Sequence, residues 1–513
     1  MDDPAHSGLQ WGPFDKPLFR DPNVRDLSRV GVVDVGSNSV RLVVFDGAAR
    51  SPAYFFNEKI MCALGAGLAE TGRLNPEGRV RAVNAMSRFR AIADSLGIDD
   101  LYAVATAAVR DASDGPDFVE DVARITGIKI YVIDGEEEAR LSAQGVLLGW
   151  PGSYGLVCDI GGSSMELAEI SDGRVGKRVT SALGPLKLRD IKGGKKGRKA
   201  VIKDTVKGLH DYMGKQSDRL FLVGGSWRAL ARVDMERRGY PLNVLHEYRM
   251  TARDVSKTAK YIDAHDPEEL RARCGISQAR MALVPMAAEV LRNVVRTFKP
   301  RDIALSSYGI REGMLYEQMP QGLRDRDPLI EACQFAERKD ARLPGFGNQL
   351  LDFVTPLFPK VAAPTDRLIQ AACHLHDVSW RAHPDYRADV CFDNATRANL
   401  GGLKHAERVF LGVALLHRYR NKREGTRFED LYALLSDTEI QRAEVLGKAM
   451  RLGAMLWGDM GAAPASLRWR PKKRHLEIHL SETGKQLFGE VAKARFDSLV
   501  LALNATSEIK KMR

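Results

Sequence analysis

Cysteine and long apolar runs are both scarce in this chain, and each scarcity excludes a class of protein. The 513 residues include six cysteines, and none of them stands in a CxxC pair. This spacing excludes a zinc knuckle and offers no disulfide framework, so we expect reduced thiols and a cytoplasmic protein. No apolar run approaches the length needed to cross a bilayer, so we expect neither a transmembrane helix nor a membrane partner.

The N-terminal segment lacks the positive charge followed by an apolar stretch that defines a secretory signal. We therefore expect residues 1–29 to form a polar extension ahead of the folded part. The remaining chain is too long for one hydrophobic core, and a chain of this length is expected to contain roughly three or four domains.

Acidic residues are too few to balance the basic ones. The chain has 77 Lys and Arg against 66 Asp and Glu, which gives a net charge of +11. On charge alone, this balance favours a polyanionic partner such as nucleic acid, an anionic membrane surface or a polyphosphate, although a solvated basic surface explains it equally well. No RNA- or DNA-binding motif is present, so a nucleic-acid partner is not expected.

One short segment occurs twice at domain-sized spacing. The sequence VDVGSNSVRL at 33–42 is echoed by CDIGGSSMEL at 158–167. Each copy places an Asp near the end of an apolar strand, then a Gly/Ser/Asn turn, then a second strand. Backbone N–H groups and short polar side chains at such a turn suit phosphate oxygens, and the adjacent carboxylate can hold a hard cation such as Mg²⁺. The repeat therefore predicts two related lobes that face each other across a phosphate-binding cleft.

Strand and helix patterns alternate up to about residue 321, and charged helical patterns dominate afterwards. The pattern predicts an α/β protein with two mixed-sheet lobes, then an α-helical domain and a small α+β domain in which Arg474–Leu480 forms a strand. The predicted boundaries are 1–29 for the extension, 30–135 for lobe I, 136–321 for lobe II, 322–422 for the helical domain and 427–513 for the C-terminal domain.

Two further segments are expected at the cleft, because ligands bind at the carboxyl ends of strands. They are Thr106–Arg110 and the turn Gly224–Ser226, each at the end of an apolar strand. Between the lobes, the carboxylates Glu136–Glu138 begin a helix, where they either stabilise its N-terminus or serve the cleft. The stretch Lys192–Lys199 is expected to be a mobile loop, either merely solvated or an electrostatic lip for an anionic chain.

Together these segments resemble the exopolyphosphatase / guanosine pentaphosphate phosphohydrolase family, a branch of the actin, sugar-kinase and heat-shock ATPase fold. The resemblance covers about residues 30–315, and its motifs occur in the family's order. The motifs are Asp34–Ser39 (DVGSNS), Thr106–Arg110 (TAAVR), Gly135–Leu141 (GEEEARL), Asp159–Glu166 (DIGGSSME) and Leu305–Gly313 (LSSYGIREG). The resemblance implies two ribonuclease H-like, actin-like lobes.

The resemblance also implies a role for each matching residue. Glu138 matches the catalytic glutamate that positions and deprotonates the attacking water, and Arg110 matches the cation that clamps the terminal phosphoryl group. Asp159 and Glu166 match acidic residues that organise Mg²⁺, to which we add Asp34 of the first hairpin; K⁺ as a further cation stays open. The expected phosphate-binding residues are Gly36, Ser37, Asn38, Gly161, Gly162, Ser163, Ser164, Gly224 and Gly225.

Two departures from the family's pattern concern the substrate. The second hairpin carries Gly-Gly-Ser-Ser at 161–164 where three glycines are more common, and the turn at Gly224 continues into Trp227. We expect Trp227 to crowd an adenosine-like pocket, which favours a chain of phosphates over a bulky nucleotide.

The helical domain resembles a histidine–aspartate phosphohydrolase fold at His376–Asp377. The upstream histidine ligand of that fold is missing, because no histidine lies between His265 and His374. We therefore interpret the site as a degenerate structural remnant and not as a second metal site. In longer members of the family such a remnant builds a basic channel with the tail domain. The residues expected to line one here are Lys404, Arg408, Arg418, Arg420, Lys422, Arg423 and the basic residues of Arg468–Arg474.

The function predicted from the resemblance is the release of terminal orthophosphate from inorganic polyphosphate, by Mg²⁺-assisted attack of water with Glu138 as base. The alternative is hydrolysis of the 5′-γ-phosphate of guanosine pentaphosphate by the same chemistry. An actin-like ATPase or sugar kinase is disfavoured because Glu138 suits a hydrolase. A non-hydrolytic polyphosphate- or alarmone-binding protein ranks last, since it would require loss of Glu138 or Asp159. The resemblance also implies a homodimer.

Overall fold

The computed structural model describes residues 18–19, 21, 23–216, 218–457 and 461–512. The chain divides into two compact units, residues 1–326 and 327–513. Across the described ranges, no helix combines the length and the apolar character that a membrane crossing requires. Most of the predicted extension at 1–29 lies outside the described residues, although the first strand begins already at Asp26.

The first sheet of unit 1 has the strand order β3-β2-β1-β4-β5. Its strands are β1 (Asp26–Val35), β2 (Ser39–Ala48), β3 (Ser51–Met61), β4 (Leu101–Ala105) and β5 (Ile130–Val132). The accompanying helices are α1 (Leu68–Thr71), α2 (Pro76–Ser95), α3 (Ala107–Asp111), α4 (Gly115–Thr126) and α5 (Gly135–Gly149). The first three strands form an antiparallel meander, and β4 and β5 extend it in parallel.

The second sheet of unit 1 has the order β10-β11-β9-β6-β7-β8. Its strands are β6 (Gly155–Ile160), β7 (Met165–Ser171), β8 (Arg174–Ser181), β9 (Arg219–Val223), β10 (Arg249–Met250) and β11 (Asp302–Leu305). The helices are α6 (Pro185–Arg189), α7 (Gly194–Met213), α8 (Gly225–Arg238), α9 (Ala252–Ala264), α10 (Pro267–Cys274), α11 (Gln278–Met281), α12 (Val284–Phe298), α13 (Ile310–Gln318) and α14 (Gln321–Arg324).

The two sheets repeat one plan. An antiparallel meander, β6-β7-β8, is again extended by parallel strands, here β9 and β11. The prediction of an α/β fold with two related mixed-sheet lobes is therefore confirmed. The apolar strands made these lobes predictable from sequence, because a strand whose two faces are both buried is apolar along its whole length. In β1, Val32 packs in one core cluster and Val33 in another.

Helices α5 and α13 pack closely and share one core cluster with both sheets. A Cβ placed on Gly313 of α13 would lie 1.8 Å from the carbonyl oxygen of Leu141 in α5, so only glycine permits this approach. This packing positions the N-terminus of α5, which carries Glu138, beside strands of both lobes.

Unit 2 consists of helices and one small sheet. The helices are α15 (Pro328–Asp340), α16 (Phe346–Val354), α17 (Ala363–Leu375), α18 (Arg387–Arg397), α19 (His405–Tyr419), α20 (Asp437–Leu456), α21 (Glu482–Leu487) and α22 (Glu490–Ala502), with short 3-10 turns at Thr355–Leu357, Pro384–Tyr386, Glu429–Leu434 and Pro471–Lys473. The sheet has the order β12-β13-β14, with strands β12 (Ala465–Arg470), β13 (His475–Leu480) and β14 (Thr506–Lys511). The predicted strand at 474–480 is β13, whereas β12 and β14 were not predicted.

The lysine-rich stretch at 192–199 is not the loop that we expected. Helix α7 begins at Gly194, so most of the stretch is helical. Lysine and arginine are good helix formers, and the glycine content that predicted a loop is confined to the first turns of the helix.

Candidate active site

A cleft in unit 1 gathers the predicted phosphate-binding residues. Its cavity has a volume of about 530 Å³. The lining includes Gly36, Ser37, Asn38, Gly161, Gly162, Ser163, Ser164, Gly224 and Gly225, together with Asp34, Glu138 and Asp159. Arg110 and Glu166 are not among the lining residues, but Arg110 lies 3.8 Å from Glu138 and Glu166 pairs with Asp159 across β6 and β7. The structure therefore brings together all the residues proposed for the site from separate regions of sequence.

The two repeated hairpins have the same internal geometry. The backbone N–H of Gly36 donates to the carbonyl of Ser39 at 3.1 Å, and that of Gly161 donates to Ser164 at 3.0 Å. Both turns follow a strand whose second-to-last residue is an aspartate, and both present hydroxyl or amide side chains to the cleft. Such turns supply short polar donors for phosphate oxygens.

A third turn borders the cleft at the start of α8. Gly224 has a φ of 111°, which strongly favours glycine, and a Cβ there would lie 2.5 Å from the carbonyl oxygen of Ile160. The turn sets the N-terminus of α8, a helix of 14 residues, against the cleft. Unpaired backbone N–H groups and the helix dipole favour an anion at that position.

The three carboxylates at the start of α5 have different environments. Glu136 is exposed, and Glu137 pairs with Arg140, whose Nε lies 2.8 Å from Glu137 Oε2. Glu138 is only 6% exposed and faces the cleft. The cap of the helix is Asp134, whose side chain accepts from the Glu137 N–H at 2.7 Å. Of the three, Glu138 alone combines burial with access to the cleft.

Arg110 is held beside Glu138 by the backbone. Its Nη1 donates to the carbonyl of Ile133 at 3.0 Å and lies 3.8 Å from Glu138 Oε2. Arg110 belongs to the short helix α3 directly after β4, whereas Ile133 follows the neighbouring parallel strand β5. The side chain therefore places a positive charge next to a buried carboxylate at the carboxyl ends of these strands.

Burial and mutual repulsion raise the pKa values of the carboxyl groups in the cleft. Burial raises the pKa of Glu138 well above its usual range, and the charges of Glu166 and Asp159 raise it further. Burial and the charge of Asp159 raise the pKa of Glu166 to about 8. Burial likewise raises the pKa values of Asp34 and Asp159, although a hydrogen bond from Ser142 opposes the shift at Asp159.

The carboxylates have the chemistry that a hard divalent cation requires. Glu138 Oε2 and Glu166 Oε2 are buried oxygens without a hydrogen-bond partner. A cation here would relieve the repulsion among Asp34, Asp159 and Glu166, and Mg²⁺ commonly takes one or two protein carboxylates together with water and substrate phosphates. The residues present therefore fit a Mg²⁺ site.

A tighter group of potential metal ligands occurs in the small sheet of unit 2. Among the described residues, His475, Glu477 and Glu508 are the group whose ligand atoms all lie within 4.8 Å of one another. Glu477 already accepts from Arg470 Nε at 2.9 Å and lies 3.1 Å from Lys510 Nζ. Because protein cations occupy these oxygens, the group is an ion-pair network on the sheet.

Trp227 does not crowd the cleft, contrary to our expectation. Its side chain is fully buried in the core of the second lobe, and its indole N–H donates to the carbonyl of Cys158 at 3.1 Å. An α-helix has 3.6 residues per turn, so consecutive side chains point in different directions. Ser226 lines the cleft, and the side chain of Trp227 points into the core instead. Trp227 therefore gives no reason to prefer one substrate over another.

The histidine–aspartate remnant is occupied by protein groups. Asp377 accepts from Arg342 Nε at 2.8 Å and Nη2 at 2.6 Å, so a guanidinium pairs with the carboxylate. His374 Nδ1 contacts Glu337 Oε2 at 2.6 Å, and His376 Nδ1 donates to the carbonyl of Cys373 at 2.8 Å. These contacts agree with a structural remnant.

The expected basic channel lacks two of its residues. Arg408 is 1% exposed, and its guanidinium donates to the carbonyls of Ala398 and Leu400 at 2.8 and 2.7 Å. Arg418 is also buried. Both side chains serve the interior of the helical part, and the prediction that they line an open channel is wrong.

Sequence reasoning missed a group of basic residues that extend from the cleft. Arg41, Arg228, Arg280 and Arg311 all line the same cavity as the predicted residues. Three signals were available, since Arg41 belongs to the first repeated segment, Arg228 follows the Gly224 turn, and Arg311 lies in the LSSYGIREG motif. Arg280 had no such signal, because it lies on a short helix outside every motif.

Comparison with known proteins agrees with this architecture. Residues 43–322 match the Ppx/GppA phosphatase family, and residues 329–507 match the exopolyphosphatase C-terminal family. Among solved structures, an exopolyphosphatase from Cytophaga hutchinsonii superposes with a TM-score of 0.52 at 24% identity, covering 57% of this chain and 98% of that one. This likeness shows the fold.

Three curated relatives show the range of similar proteins. Retrograde regulation protein 2 of Saccharomyces cerevisiae is 26% identical over 76% of this chain and 72% of its own length. Guanosine-5′-triphosphate,3′-diphosphate pyrophosphatase of Vibrio parahaemolyticus is 25% identical over 76% of this chain and 80% of its own. Exopolyphosphatase 1 of Mycobacterium tuberculosis is 35% identical over 27% of this chain and 42% of its own.

The family match covers more than half of the chain, and it includes the second sheet and all of the first sheet except β1 and the start of β2. Its range includes the second hairpin, the start of α5 and the turn before α8, and it begins within β2, after the turn of the first hairpin. On these grounds the chain belongs to the Ppx/GppA phosphatase family.

Proposed function

We propose that the protein is an exopolyphosphatase, which releases terminal orthophosphate from inorganic polyphosphate by attack of water. The observation that carries the proposal is the buried Glu138 beside Arg110, at the edge of a cleft formed by two phosphate-binding hairpins. A phosphohydrolase needs little covalent chemistry from the protein, and it depends on positioning and on neutralising charge. This cleft supplies both.

Each residue has a defined task in this proposal. Glu138 Oε2 has no hydrogen-bond partner, so it can accept a hydrogen bond from the attacking water and then its proton. Arg110 compensates the charge of the terminal phosphoryl group and favours the ionised form of Glu138, because it lies 3.8 Å away. The turns at 36–38, 161–164 and 224–225 hold phosphate oxygens. Asp34, Asp159 and Glu166 would hold a Mg²⁺ ion, which neutralises phosphate charge when bound.

The choice of polyphosphate rests on similarity. The match to an exopolyphosphatase C-terminal family and the relatedness to a mycobacterial exopolyphosphatase support it. The alternative is a guanosine pentaphosphate 5′-phosphohydrolase, which the Vibrio relative favours. A second alternative is a non-hydrolytic polyphosphate- or alarmone-binding protein, and the yeast relative, which is named for regulation, favours that.

The remaining features of the proposal follow from the resemblance and from composition. We propose Mg²⁺ as the divalent cation, with K⁺ open as a further one, and a homodimer as the assembly. The domain boundaries at 30–135, 136–321, 322–422 and 427–513 stay predictions. The six free cysteines agree with a cytoplasmic location.

The test is orthophosphate release with Mg²⁺ from long polyphosphate, guanosine pentaphosphate and ATP. It compares the natural chain with Glu138→Gln and with Glu136→Gln, a matched control on the exposed side of the same helix start. We expect release from polyphosphate, a loss of at least about 100-fold for Glu138→Gln, and little change for the control.

The outcomes separate the alternatives. Faster cleavage of guanosine pentaphosphate than of polyphosphate would establish the alternative function, guanosine pentaphosphate 5′-phosphohydrolase. If Glu138→Gln were as active as the natural chain, Glu138 would not be the base that activates the attacking water. No release from any substrate, with polyphosphate still bound, would identify a binding protein.

A further inference from the structure

A second concave surface of unit 1 shares no residue with the cleft. It has a volume of about 680 Å³ and lies among helices α7, α9 and α12, and we call it the helix groove. Against one carboxylate, that of Glu289, its described lining sets five cations. The cations are Lys199, Lys203, Arg292, Arg296 and Lys299.

The three helices are held together by apolar packing beneath the groove. Val206 of α7, Val255 of α9 and Val294 of α12 belong to one buried core cluster of the second lobe. Burial of apolar side chains stabilises this arrangement without any help from the charged ones. The groove therefore exists in the free protein and needs no ligand to form.

Two of the helices each present a pair of cations to the groove. Lys199 and Lys203 are four residues apart on α7, and Arg292 and Arg296 are four apart on α12. Residues at this spacing lie on the same face of a helix, and like charges there repel each other. Since both pairs line one groove, each helix adds positive charge to a surface that the other helix already makes positive.

Protein carboxylates leave this charge uncompensated. The carboxylate of Glu289 pairs with Arg198, which is not part of the lining, at an Nε–Oε2 distance of 3.2 Å. In the part of the chain that the structure describes, no carboxylate oxygen lies within 4.0 Å of any of the five groove cations. Elsewhere in unit 1 exposed arginines do pair with carboxylates, as Arg273 does with Glu236 at 2.6 Å. The groove is therefore a binding surface for an anion and not an ordinary solvated face.

The lining suits a chain of phosphates better than a nucleic acid. Lysine and arginine side chains are donors only, and guanidinium groups bind phosphate oxygens through paired hydrogen bonds. Single-stranded nucleic acids bind through aromatic side chains on which bases stack, and the described lining of the groove contains no aromatic residue. A ligand that carries a negative charge on every repeating unit matches cations spread along two helices.

Helix α12 leads from the cleft to the groove. Leu283, the residue that precedes the helix, lines the cleft. At 1.5 Å per residue, Arg292 and Arg296 lie about 14 and 20 Å further along the helix axis. Three phosphate groups held in the cleft do not span this distance, whereas a long chain does.

We propose that the helix groove binds the distal phosphates of a long polyphosphate chain whose end lies in the cleft. The proposal rests on the phosphohydrolase function proposed above, and it adds a second binding site that favours long chains over short ones. Lys199 is the last residue of the lysine-rich stretch for which the sequence left open a solvated segment or an electrostatic lip. The groove gives that stretch a role in holding an anionic chain.

The experiment compares long polyphosphate with tripolyphosphate as substrates of the full-length protein with Mg²⁺. The variant is the double substitution Lys203→Gln/Arg292→Gln, and Lys203→Arg/Arg292→Lys keeps the charge. The matched control is Arg253→Gln/Lys257→Gln, which removes the same charge from exposed positions of α9 outside the groove. Binding of long polyphosphate, tripolyphosphate and duplex DNA is measured in parallel at about 50 and 200 mM salt.

We expect the glutamine variant to raise KM for long polyphosphate about fivefold to tenfold, while kcat and the KM for tripolyphosphate change by less than about twofold. The charge-keeping variant and the control should stay within about twofold of the natural chain. The slope of log K against log salt for long polyphosphate should become shallower by about 1.5, because each lost phosphate contact removes about 0.7–0.9.

Several results would overturn the proposal. They are an unchanged KM for long polyphosphate in the glutamine variant, an equal rise for tripolyphosphate, an equal rise in the control, and an equal rise in the charge-keeping variant. Groove-dependent binding of DNA without groove-dependent binding of polyphosphate would make a nucleic acid the occupant and would overturn it as well.

Failure of the proposed function is separately visible, because the natural chain would then release no orthophosphate from either substrate. The binding measurement decides in that case. Long polyphosphate that binds more weakly to the glutamine variant than to the control, with tripolyphosphate binding unchanged, would uphold the groove. Equal binding of long polyphosphate to the two variants would overturn it.

Discussion

The hydroxyl of Ser163 donates to the hydroxyl of Ser37 across the cleft, with an Oγ–Oγ distance of 3.3 Å. The two serines come from the turns of the two repeated hairpins, so the duplicated loops meet at their tips. A phosphate group that enters between them can be held by donors from both lobes at once. Binding of a substrate therefore depends on the spacing of the two lobes as well as on each loop.

The repeat is symmetric in backbone and asymmetric in charge. In the first hairpin, Asp34 on β1 stands directly opposite Arg41 on β2, and in the second, Asp159 on β6 stands opposite Glu166 on β7. The same position thus carries a cation in one lobe and a carboxylate in the other. Arg41 adds a positive charge to the lining of the cleft, whereas Glu166 adds a carboxylate next to Asp159.

The first prediction concerns Arg110. Arg110→Ala should lower kcat for orthophosphate release by about 100- to 1,000-fold, because a fixed cation beside the developing phosphoryl charge is lost. Arg110→Lys should retain part of the activity. Steady-state kinetics measure both, with Arg124→Gln as control, since Arg124 is exposed and pairs with Asp121. Near-natural kcat in Arg110→Ala would exclude its proposed role.

The second prediction concerns the pH dependence of Mg²⁺ binding. The pKa of Glu166 is raised to about 8, so the group is largely protonated at neutral pH and must release a proton to hold a cation. Apparent Mg²⁺ affinity should therefore rise with pH up to about 8, by at most about tenfold per pH unit for one proton.

Calorimetric titration with Mg²⁺ in buffers of different ionisation enthalpy measures the protons released. In Glu166→Gln, affinity should be lower and its pH dependence flatter, whereas Glu169→Gln on the same strand should match the natural chain. An affinity that is independent of pH in the natural chain would contradict the assignment of Glu166 to the cation.

The third prediction concerns the turn before α8. Gly224→Ala should destabilise the protein by about 2 kcal/mol or more, because its φ of 111° and the nearby Ile160 carbonyl both exclude a Cβ. Gly208 lies inside α7, and a Cβ there would meet no atom of another element within 4 Å, so Gly208→Ala should stabilise by about 1 kcal/mol. Chemical unfolding measures both, and a stable Gly224→Ala variant would contradict the strain at this turn.

The fourth prediction concerns the stability of the helical unit in acid. Burial and the nearby charge of Arg418 lower the pKa of His376 to about 4 from its usual value of 6.5. A group whose folded pKa is lowered contributes stability above its unfolded pKa and loses that contribution as pH falls to the folded pKa. Between pH 6.5 and about 4, the unit should lose on the order of 3 kcal/mol through this residue.

The hydrogen-exchange rates of backbone amides in α17, measured in the full-length protein, report this local stability. His376→Asn should make the exchange less dependent on pH in that window, and His383→Gln should not, because His383 is well exposed. Equal pH dependence in the natural chain and His376→Asn would show that His376 does not titrate in this way.

Much of unit 1 was predictable because its signals are local. Short stretches of sequence specify the repeated hairpins, the apolar strands and the start of α2, which Asn75 caps. The C-terminal sheet was less predictable. Strand β13 alternates apolar and polar residues, whereas most of β14 is exposed and polar, and it pairs with β13 only through the tertiary fold.

The sequence by itself determined the duplicated lobes and most of the candidate site. A few neighbouring residues of an Asp-Gly-Ser turn after an apolar strand fix both the conformation of the turn and the polar groups that it presents. Only the tertiary structure decided the direction of Trp227, the difference between Glu136 and Glu138, and the convergence of Arg41, Arg228 and Arg280. These outcomes depend on which helix face is buried and on which distant charges share a low-dielectric cleft. Such long-range proximity is set by packing, and no local pattern encodes it.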